Sequence, residues 1–252
     1  MPVAPQIPPR FLPVCEFFRL VKKTMNTYNY QHFDADDYDL EQFDGPAVGE
    51  KAPDFECTTV DNQSKRILDF EGDFLVLELG SITCPLFQQR RSGMSQLHTQ
   101  FPNVSHAVLY VREAHPGSII PPHQSFEEKR KQAQALKEDD GEERLILIDG
   151  LDGVAHKAYG SLPNSVYIIN KNGFVVYRSK WNNARATQQA IKALLEGKTP
   201  DPESYFTPAT PPVLMKTLKR AGKGAVPEFM IALPKLLWSH LIKGNIKLIL
   251  NK

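Results

Sequence analysis

Residues 74–89 have the sequence Phe-Leu-Val-Leu-Glu-Leu-Gly-Ser-Ile-Thr-Cys-Pro-Leu-Phe-Gln-Gln. The apolar run 74–79 is short and rich in β-forming side chains, which is typical of a buried strand. Pro85 stands where the first turn of a helix accepts a proline. The stretch therefore predicts a strand followed by a tight connection and a helix, with Cys84 at the helix N-terminus.

Cys84 is the first candidate for a reactive group. The unpaired backbone N–H groups and the dipole at a helix N-terminus favour an anion. A thiol in that position is expected to have a lowered pKa and to act as a nucleophilic thiolate. The alternative is a small buried residue, because free cysteine is among the most buried residue types. The agreement of strand, cysteine, proline and helix favours the reactive thiolate.

Strands and helices alternate through the middle of the chain. The patterns predict strands at 74–79, 106–111, 144–149, 165–170 and 174–177, and helices at 85–100, 125–138, 152–159 and 184–196. Lys171-Asn172-Gly173 is a hairpin turn signal between the last two strands. The sequence therefore predicts an α/β fold with a mixed central sheet flanked by helices. Pro163 precedes a strand and could be cis or trans; the order of elements favours cis.

Four segments are predicted along the chain. Residues 1–45 form an N-terminal extension, 46–198 the core domain, 199–228 a Pro-rich linker, and 229–252 a basic amphipathic segment. The net charge is only +1, and we expect no nucleic-acid partner. The basic residues concentrate at the C-terminus, which suggests that the last segment contacts an anionic membrane surface, packs on the core domain, or binds a partner.

The cysteines and the apolar runs indicate the compartment. The chain has three cysteines, Cys15, Cys57 and Cys84, which do not form a disulfide framework. No secretory leader and no apolar run of about 18 residues is apparent, so neither a signal peptide nor a transmembrane helix is expected. We therefore expect a reducing, cytoplasmic location, with peripheral membrane contact at most.

Chemistry-bearing residues follow several strands of the predicted sheet. In such sheets ligands gather at the carboxyl ends of the strands. Cys84 follows the first strand, Arg112-Glu113-Ala114-His115 the second and Asp149 the third, while His123 lies in a loop that leaves the same edge. A thiolate, a carboxylate and imidazoles can thus converge for nucleophilic attack with proton transfer.

Each candidate also has a purely structural interpretation. Glu113 could pair with Arg112 or Lys129, His115 could only shape the loop, and His123 could be a surface residue. Ser81 and Thr83 could hydrogen-bond the thiolate or only satisfy the backbone of the turn. His and Cys residues do not fall at metal-ligand spacings, so no metal site is predicted.

Three stretches together resemble the iodothyronine deiodinases, selenoenzymes of the thioredoxin superfamily. Residues 80–87, Gly-Ser-Ile-Thr-Cys-Pro-Leu-Phe, resemble the active-site signature, with Cys84 at the selenocysteine position. Residues 110–116, Tyr-Val-Arg-Glu-Ala-His-Pro, and residues 120–125, Ile-Pro-Pro-His-Gln-Ser, resemble the second and third motifs. The resemblance covers about 48–196 and implies a thioredoxin-like (peroxiredoxin-like) fold with N- and C-terminal extensions.

The resemblance also implies a reaction in thyroid hormone metabolism. Cys84 would attack iodine on an iodinated aromatic ring, and an external thiol such as thioredoxin or glutathione would reduce the resulting sulfenyl iodide; no bound cofactor is implied. Glu113 and His123 match positions used for substrate binding and proton delivery. Residues implied to support the nucleophile or the substrate are Ser81, Thr83, Tyr110 and His115. Family members commonly dimerise, so a homodimer is a further expectation.

Two positions depart from the family pattern. Ile82 replaces a cysteine often found two residues before the nucleophile, so Cys57 or an external thiol would serve as the resolving thiol. Ser179-Lys180-Trp181-Asn182 replaces a Gly-Arg-Gly-Pro stretch whose arginine contacts hormone. Two alternative functions stay open: a thiol peroxidase or peroxiredoxin-like reductase, and a redox-inactive thioredoxin-fold interaction module.

Overall fold

Seven strands form one mixed sheet in the computed structural model, which describes residues 28–38, 42–201, 206–239 and 246. In chain order the strands are β1 (Glu56–Thr59), β2 (Ser64–Arg66), β3 (Phe74–Gly80), β4 (Ser105–Tyr110), β5 (Leu145–Ile148), β6 (Val166–Asn170) and β7 (Val175–Ser179). Their spatial order is β2-β1-β5-β4-β3-β6-β7. Strands β3, β4 and β5 run parallel, and the flanking strands join them antiparallel.

Six α-helices accompany the sheet in the described part of the chain. They are α1 (Pro85–Gln100), α2 (Phe126–Glu138), α3 (Val154–Ala158), α4 (Ala184–Leu195), α5 (Pro211–Ala221) and α6 (Ala225–Leu237). The crossover from β3 through α1 to the parallel strand β4 sets Cys84 at the carboxyl edge of the central strand. This arrangement confirms the predicted thioredoxin-like α/β fold.

The two faces of the sheet bury separate apolar clusters. Leu75, Leu77 and Leu79 of β3 point to one face and pack with Cys57. The other face is covered by α1, α2 and α4, whose buried residues pack against alternate residues of the same strands. Because side chains alternate along a strand, Cys57 and Cys84 lie on opposite faces of the sheet.

The peptide bond before Pro163 is trans, since the described residues contain no cis peptide bond. The expected cis isomer is therefore wrong. Two residues just upstream, Gly160 and Ser161, adopt positive φ angles of 88° and 58° and supply the sharp change of direction that precedes β6. The proline can then keep its intrinsically preferred trans isomer.

Helix α5 lies within the segment predicted as a Pro-rich linker. Its prolines stand at the first turn, where the missing N–H has no intrahelical partner to lose. Hydrogen bonds from Thr210 to the Gln89 side chain, at 2.8 and 2.9 Å, fix its start. Arg220 near its end binds both carboxylate oxygens of Asp140 at 2.7 and 2.8 Å. Residues 211–221 are therefore part of the packed structure and not a linker.

Helix α6 occupies the start of the predicted basic segment and packs on the N-terminal extension. The Glu228 carboxylate accepts from the backbone N–H of Phe33 at 3.0 Å and contacts the His32 ring at 2.8 Å. Lys235 pairs with Asp36. Apart from residues 238, 239 and 246, the remainder of the predicted segment lies outside the described residues. Within the described ranges, every helix is too short or too polar to cross a bilayer.

Candidate active site

Cys84 is the N-cap residue of α1, as the sequence predicts. Its backbone is extended, with φ −87° and ψ 111°, and Pro85 begins the helix. The Cys84 sulfur accepts a hydrogen bond from the Phe87 backbone N–H at 3.5 Å. Only 1% of the residue is exposed.

The thiol is not acidified in this environment. Burial raises the pKa of Cys84 to about 11, and the hydrogen bonds from Phe87 and Leu86 together with the charge of Arg90 offset this only in part. The predicted lowering of the pKa is therefore wrong. A helix N-terminus lowers the pKa of a thiol, but the removal of water from around the sulfur raises the pKa by more.

Glu113 lies at the centre of a buried hydrogen-bond network beside Cys84. One carboxylate oxygen accepts from the Thr83 hydroxyl at 2.5 Å and the Thr83 N–H at 3.2 Å. The other accepts from the Tyr110 hydroxyl at 2.6 Å and from His123 Nε2 at 3.1 Å. Because a carboxylate only accepts, His123 Nε2 carries the proton. The structure thus unites Glu113, His123, Thr83 and Tyr110 into one cluster.

The charge of Glu113 is stabilised within this cluster. Burial alone would raise the pKa of the Glu113 carboxyl, but the hydrogen bond and charge of His123 and the hydroxyls of Thr83 and Tyr110 hold it below its usual value. The second ring nitrogen of His123, Nδ1, is buried without a hydrogen-bond partner in the described part of the chain. The cluster can therefore hold a proton on His123 next to an ionised carboxylate.

Ser81 and Thr83 support the second motif. The Ser81 hydroxyl accepts from the Ala114 N–H at 3.2 Å, and the Thr83 hydroxyl accepts from the His115 N–H at 3.2 Å. The Tyr110 hydroxyl in turn accepts from the Ile82 N–H at 3.3 Å. These contacts favour the second of the two interpretations, in which the side chains satisfy the backbone around Cys84.

His115 faces the apolar surroundings of Cys84. Its ring packs against Phe33 and Phe229, with centroids 4.1 and 5.5 Å away. Burial lowers the pKa of His115 to about 3, so the ring is neutral. Asp149 is engaged at another point of the edge, where it accepts from the N–H groups of Ala155 and His156 at the start of α3, at 3.2 and 3.0 Å.

A cavity of about 280 Å³ opens beside Cys84 and His115. Its walls come from three parts of the chain: the N-terminal extension, the core domain and the C-terminal helices. The wall residues outside the core include Phe33, Tyr38, Phe206, Leu214, Phe229 and Leu233. The sequence motifs predict the cysteine and its polar cluster, whereas the apolar walls depend on contacts between distant segments.

Two arginines near the site make contacts that the sequence reasoning did not predict. Arg90 lies on α1 below Cys84, and its charge lowers the pKa of the thiol. Arg112 is held among the rings of Tyr28, Tyr30 and Tyr38, with its guanidinium carbon 5.2, 4.7 and 4.9 Å from their centroids. The only sequence signal for this cation–π contact is the group of tyrosines in the extension.

Cys57 does not serve Cys84 as a resolving thiol in this structure. It is buried on the opposite face of the sheet, and burial raises the pKa of its thiol to about 12. Cys15 lies outside the described residues.

Comparison with known proteins agrees with this geometry. The model of the iodothyronine deiodinase family matches residues 16–199. A thyroxine 5-deiodinase of Gallus gallus is 30% identical over 145 residues, which are 52% of this chain and 56% of that protein. That of Rattus norvegicus is 32% identical over 152 residues, which are 55% of this chain and 49% of that protein. The chain therefore spans about half the length of these curated relatives.

A solved structure is similar in fold alone. An uncharacterized conserved protein from Geobacillus kaustophilus has a TM-score of 0.52 and 22% identity, covering 65% of this chain and 88% of that one. The family model, by contrast, covers the cysteine, the Glu113 cluster and all seven strands. With its match extending over most of the sequence, the chain belongs to the iodothyronine deiodinase family.

Proposed function

We propose that this protein removes iodine reductively from iodinated aromatic compounds, with Cys84 as the nucleophile and an external thiol as the reductant. The observation that carries the proposal is that Cys84 lines an aromatic cavity while Thr83, the residue before it, hydrogen-bonds the Glu113 carboxylate of the buried Glu113–His123 cluster. The names of the relatives, thyroxine 5-deiodinases, support the same chemistry.

The first half-reaction transfers iodine to sulfur. The Cys84 thiolate forms an S–I bond while the aromatic C–I bond breaks. The electron pair of the broken C–I bond remains on carbon. That carbon takes up a proton, and His123 beside the Glu113 carboxylate is proposed to accept the proton of the Cys84 thiol and to deliver it to the carbon. The products are the deiodinated ring and a sulfenyl iodide on Cys84.

The second half-reaction restores the thiol with two external thiols. The first attacks the Cys84 sulfur, expels iodide and leaves a mixed disulfide. The second attacks that disulfide, releases Cys84 and carries away the oxidised disulfide. An external reductant fits the structure because Cys57 lies across the sheet from Cys84.

The raised pKa of Cys84 adds a requirement. At pH 7, a thiol of pKa about 11 is ionised in about one molecule in 10,000. The proton must therefore be lost before or during attack on iodine, and we expect the rate to rise with pH.

Iodide release from two radioiodinated substrates, an iodothyronine and a single-ring iodophenol, in the presence of dithiothreitol tests the proposal, and release from either one supports it. We expect release by the wild type, loss in Cys84→Ala, and retention in Cys57→Ala, which removes the other described cysteine from the opposite face. Consumption of hydrogen peroxide without iodide release would support the thiol peroxidase instead. If neither reaction occurs, the interaction module is the better description.

A further inference from the structure

The cavity beside Cys84 has walls of one chemical kind. The extension contributes Phe33 and Tyr38, and helix α6 contributes Phe229, Leu233 and Leu236. The core adds Pro163 and Trp181 beside Cys84 and His115. Rings and aliphatic chains therefore surround the sulfur, which favours the burial of an apolar, polarisable group such as an iodinated ring.

Among the described residues, the two arginines near the cavity, Arg90 and Arg112, are already engaged in other contacts. Arg90 donates to the carbonyl oxygens of Asn182, at 2.9 Å, and Thr207. Arg112 is enclosed by three tyrosine rings and donates to the Tyr28 carbonyl at 2.8 Å. Both cations therefore have partners within the protein, and neither is among the residues that line the cavity.

Glu228, on the helix that contributes Phe229 and Leu233 to the cavity, is engaged in the same way. Glu228 binds the Phe33 N–H and the His32 ring. His115, the titratable nitrogen group on the wall, is neutral because burial lowers its pKa. Its Nδ1 atom is buried and lacks a partner in the described part of the chain, so it can form a neutral hydrogen bond to a phenol.

We infer that the cavity accepts an uncharged, single-ring halogenated phenol or related aromatic compound and discriminates against aromatic amino acids. The preference for a halogenated ring rests on the proposed function. The preference for a single, uncharged ring rests on the cavity walls. An ammonium or carboxylate group carried into these walls loses its hydration without gaining an ionic partner.

The size of the cavity agrees with one ring. An apolar cavity of about 150 Å³ holds benzene, and this cavity is about 280 Å³. The added space suits iodine and hydroxyl substituents on a single ring. A ring of this size would place its substituents against Cys84, His115 and the aromatic walls.

Trp181 provides a direct reporter of binding, because the chain has two tryptophans and the other, Trp238, is 60% exposed. The experiment uses the full chain with Cys84→Ser, to prevent turnover, and Trp238→Phe, to leave Trp181 as the only emitter. The ligands are 2-iodo-4-methylphenol and 3-iodotyrosine, which share the iodophenol ring and differ in the amino-acid group. Iodine quenches the fluorescence of a tryptophan that it contacts.

We expect saturable quenching of Trp181 by the iodophenol and an affinity about 100-fold lower for iodotyrosine, since a buried zwitterion costs several kcal/mol. Equal or tighter binding of iodotyrosine would overturn the inference, as would absence of quenching by the phenol. The matched control, Trp181→Phe with Trp238 retained, should show no saturable quenching, because Trp238 does not line the cavity. Saturable quenching of Trp238 would place the phenol elsewhere and also overturn it.

An activity measurement separates this inference from the proposed function. The wild-type protein is assayed for iodide release from both ligands with dithiothreitol. If the phenol binds at Trp181 and neither ligand releases iodide, the proposed function fails and the binding inference stands. If iodotyrosine is deiodinated with the higher kcat/KM, the proposed function stands and the inference fails.

Discussion

The substitution Glu113→Gln tests the buried cluster directly, because it keeps the shape of the side chain and removes its charge. The amide oxygen can still face Thr83, so the amide nitrogen then faces Tyr110 and His123. The Tyr110 hydroxyl already accepts from Ile82 and now has no acceptor for its own proton. The Tyr110 bond to the carboxylate is lost, the His123 bond survives only when the imidazole proton moves from Nε2 to Nδ1, and the remaining bonds change from charge-assisted to neutral.

The expected cost follows from these counts. A hydrogen bond to a charged group contributes about 1.5–3 kcal/mol and a neutral one about 0.5–1.5 kcal/mol. The gain from no longer burying a carboxylate offsets part of the loss. We expect the free energy of unfolding of Glu113→Gln to fall by about 2–4 kcal/mol.

Urea denaturation followed by circular dichroism measures this change. Glu143→Gln is the matched control, because Glu143 is an exposed carboxylate in the same protein, two residues before β5. An exposed substitution of this kind usually changes the stability by less than about 0.5 kcal/mol. A change in Glu113→Gln no larger than in the control would refute the reasoning.

The same pair of variants tests the pH dependence. The pKa of Glu113 is lower in the folded protein than its usual value, because the hydrogen bonds and charge of His123, Thr83 and Tyr110 outweigh burial. Its ionised form therefore adds stability above pH values of about 4.3, the usual range for Glu, and this contribution is lost as the pH falls through the lower folded-state pKa. Glu113→Gln should show a weaker loss of stability on acidification than Glu143→Gln.

Three further predictions concern other buried groups. The rate of Cys84 alkylation by iodoacetamide should continue to rise above pH 9, because the thiol pKa is about 11, and a plateau below pH 8 would contradict this. Arg90→Gln should shift the alkylation profile to higher pH, since the guanidinium charge lowers the pKa of Cys84; an unchanged profile would show that Arg90 only anchors neighbouring carbonyls. Arg144→Met should destabilise the protein by about 3–5 kcal/mol in urea denaturation, because it leaves the buried carboxylate of Glu78 without its 2.6 Å partner. Adding Glu78→Gln should restore part of that loss.

The central strands and helices were predictable because their patterns are local. The run 74–79 and the hairpin turn at Gly173, where φ is 79°, specify their own structure. The β1–β2 hairpin was missed because its strands have four and three residues and alternate between buried and exposed positions among polar side chains. Helix α5 was missed because a cluster of prolines in the sequence indicates a linker. In the folded protein the prolines form the first turn of a helix that packs against α1.

The chemistry of the site was more predictable than its electrostatics. Cys84, Glu113 and His123 follow from motifs that lie at one edge of the sheet, and the structure brings the latter two to 3.1 Å. The pKa of Cys84 was predicted to be lowered, whereas it is raised. The sequence shows the helix N-terminus, but it does not show how deeply the sulfur is buried. Cys84 is buried in an apolar cluster with Val108, Ala133 and Ile148, which are separated from it by long stretches of chain.

The residues proposed for the chemistry lie within the part of the chain that matches the family model, whereas part of the cavity wall lies beyond it. The family match ends at residue 199, whereas Phe206, Leu214, Phe229 and Leu233 line the cavity. Membership of the family therefore supports attack by Cys84 on a halogen, but it says little about the walls that select the rest of the substrate. Those walls are apolar, and the nearby Arg90 and Arg112 are engaged with carbonyl groups and tyrosine rings. A protein can thus belong to a family through its core domain while accepting a different molecule, and the segments beyond the family match are where that difference must be sought.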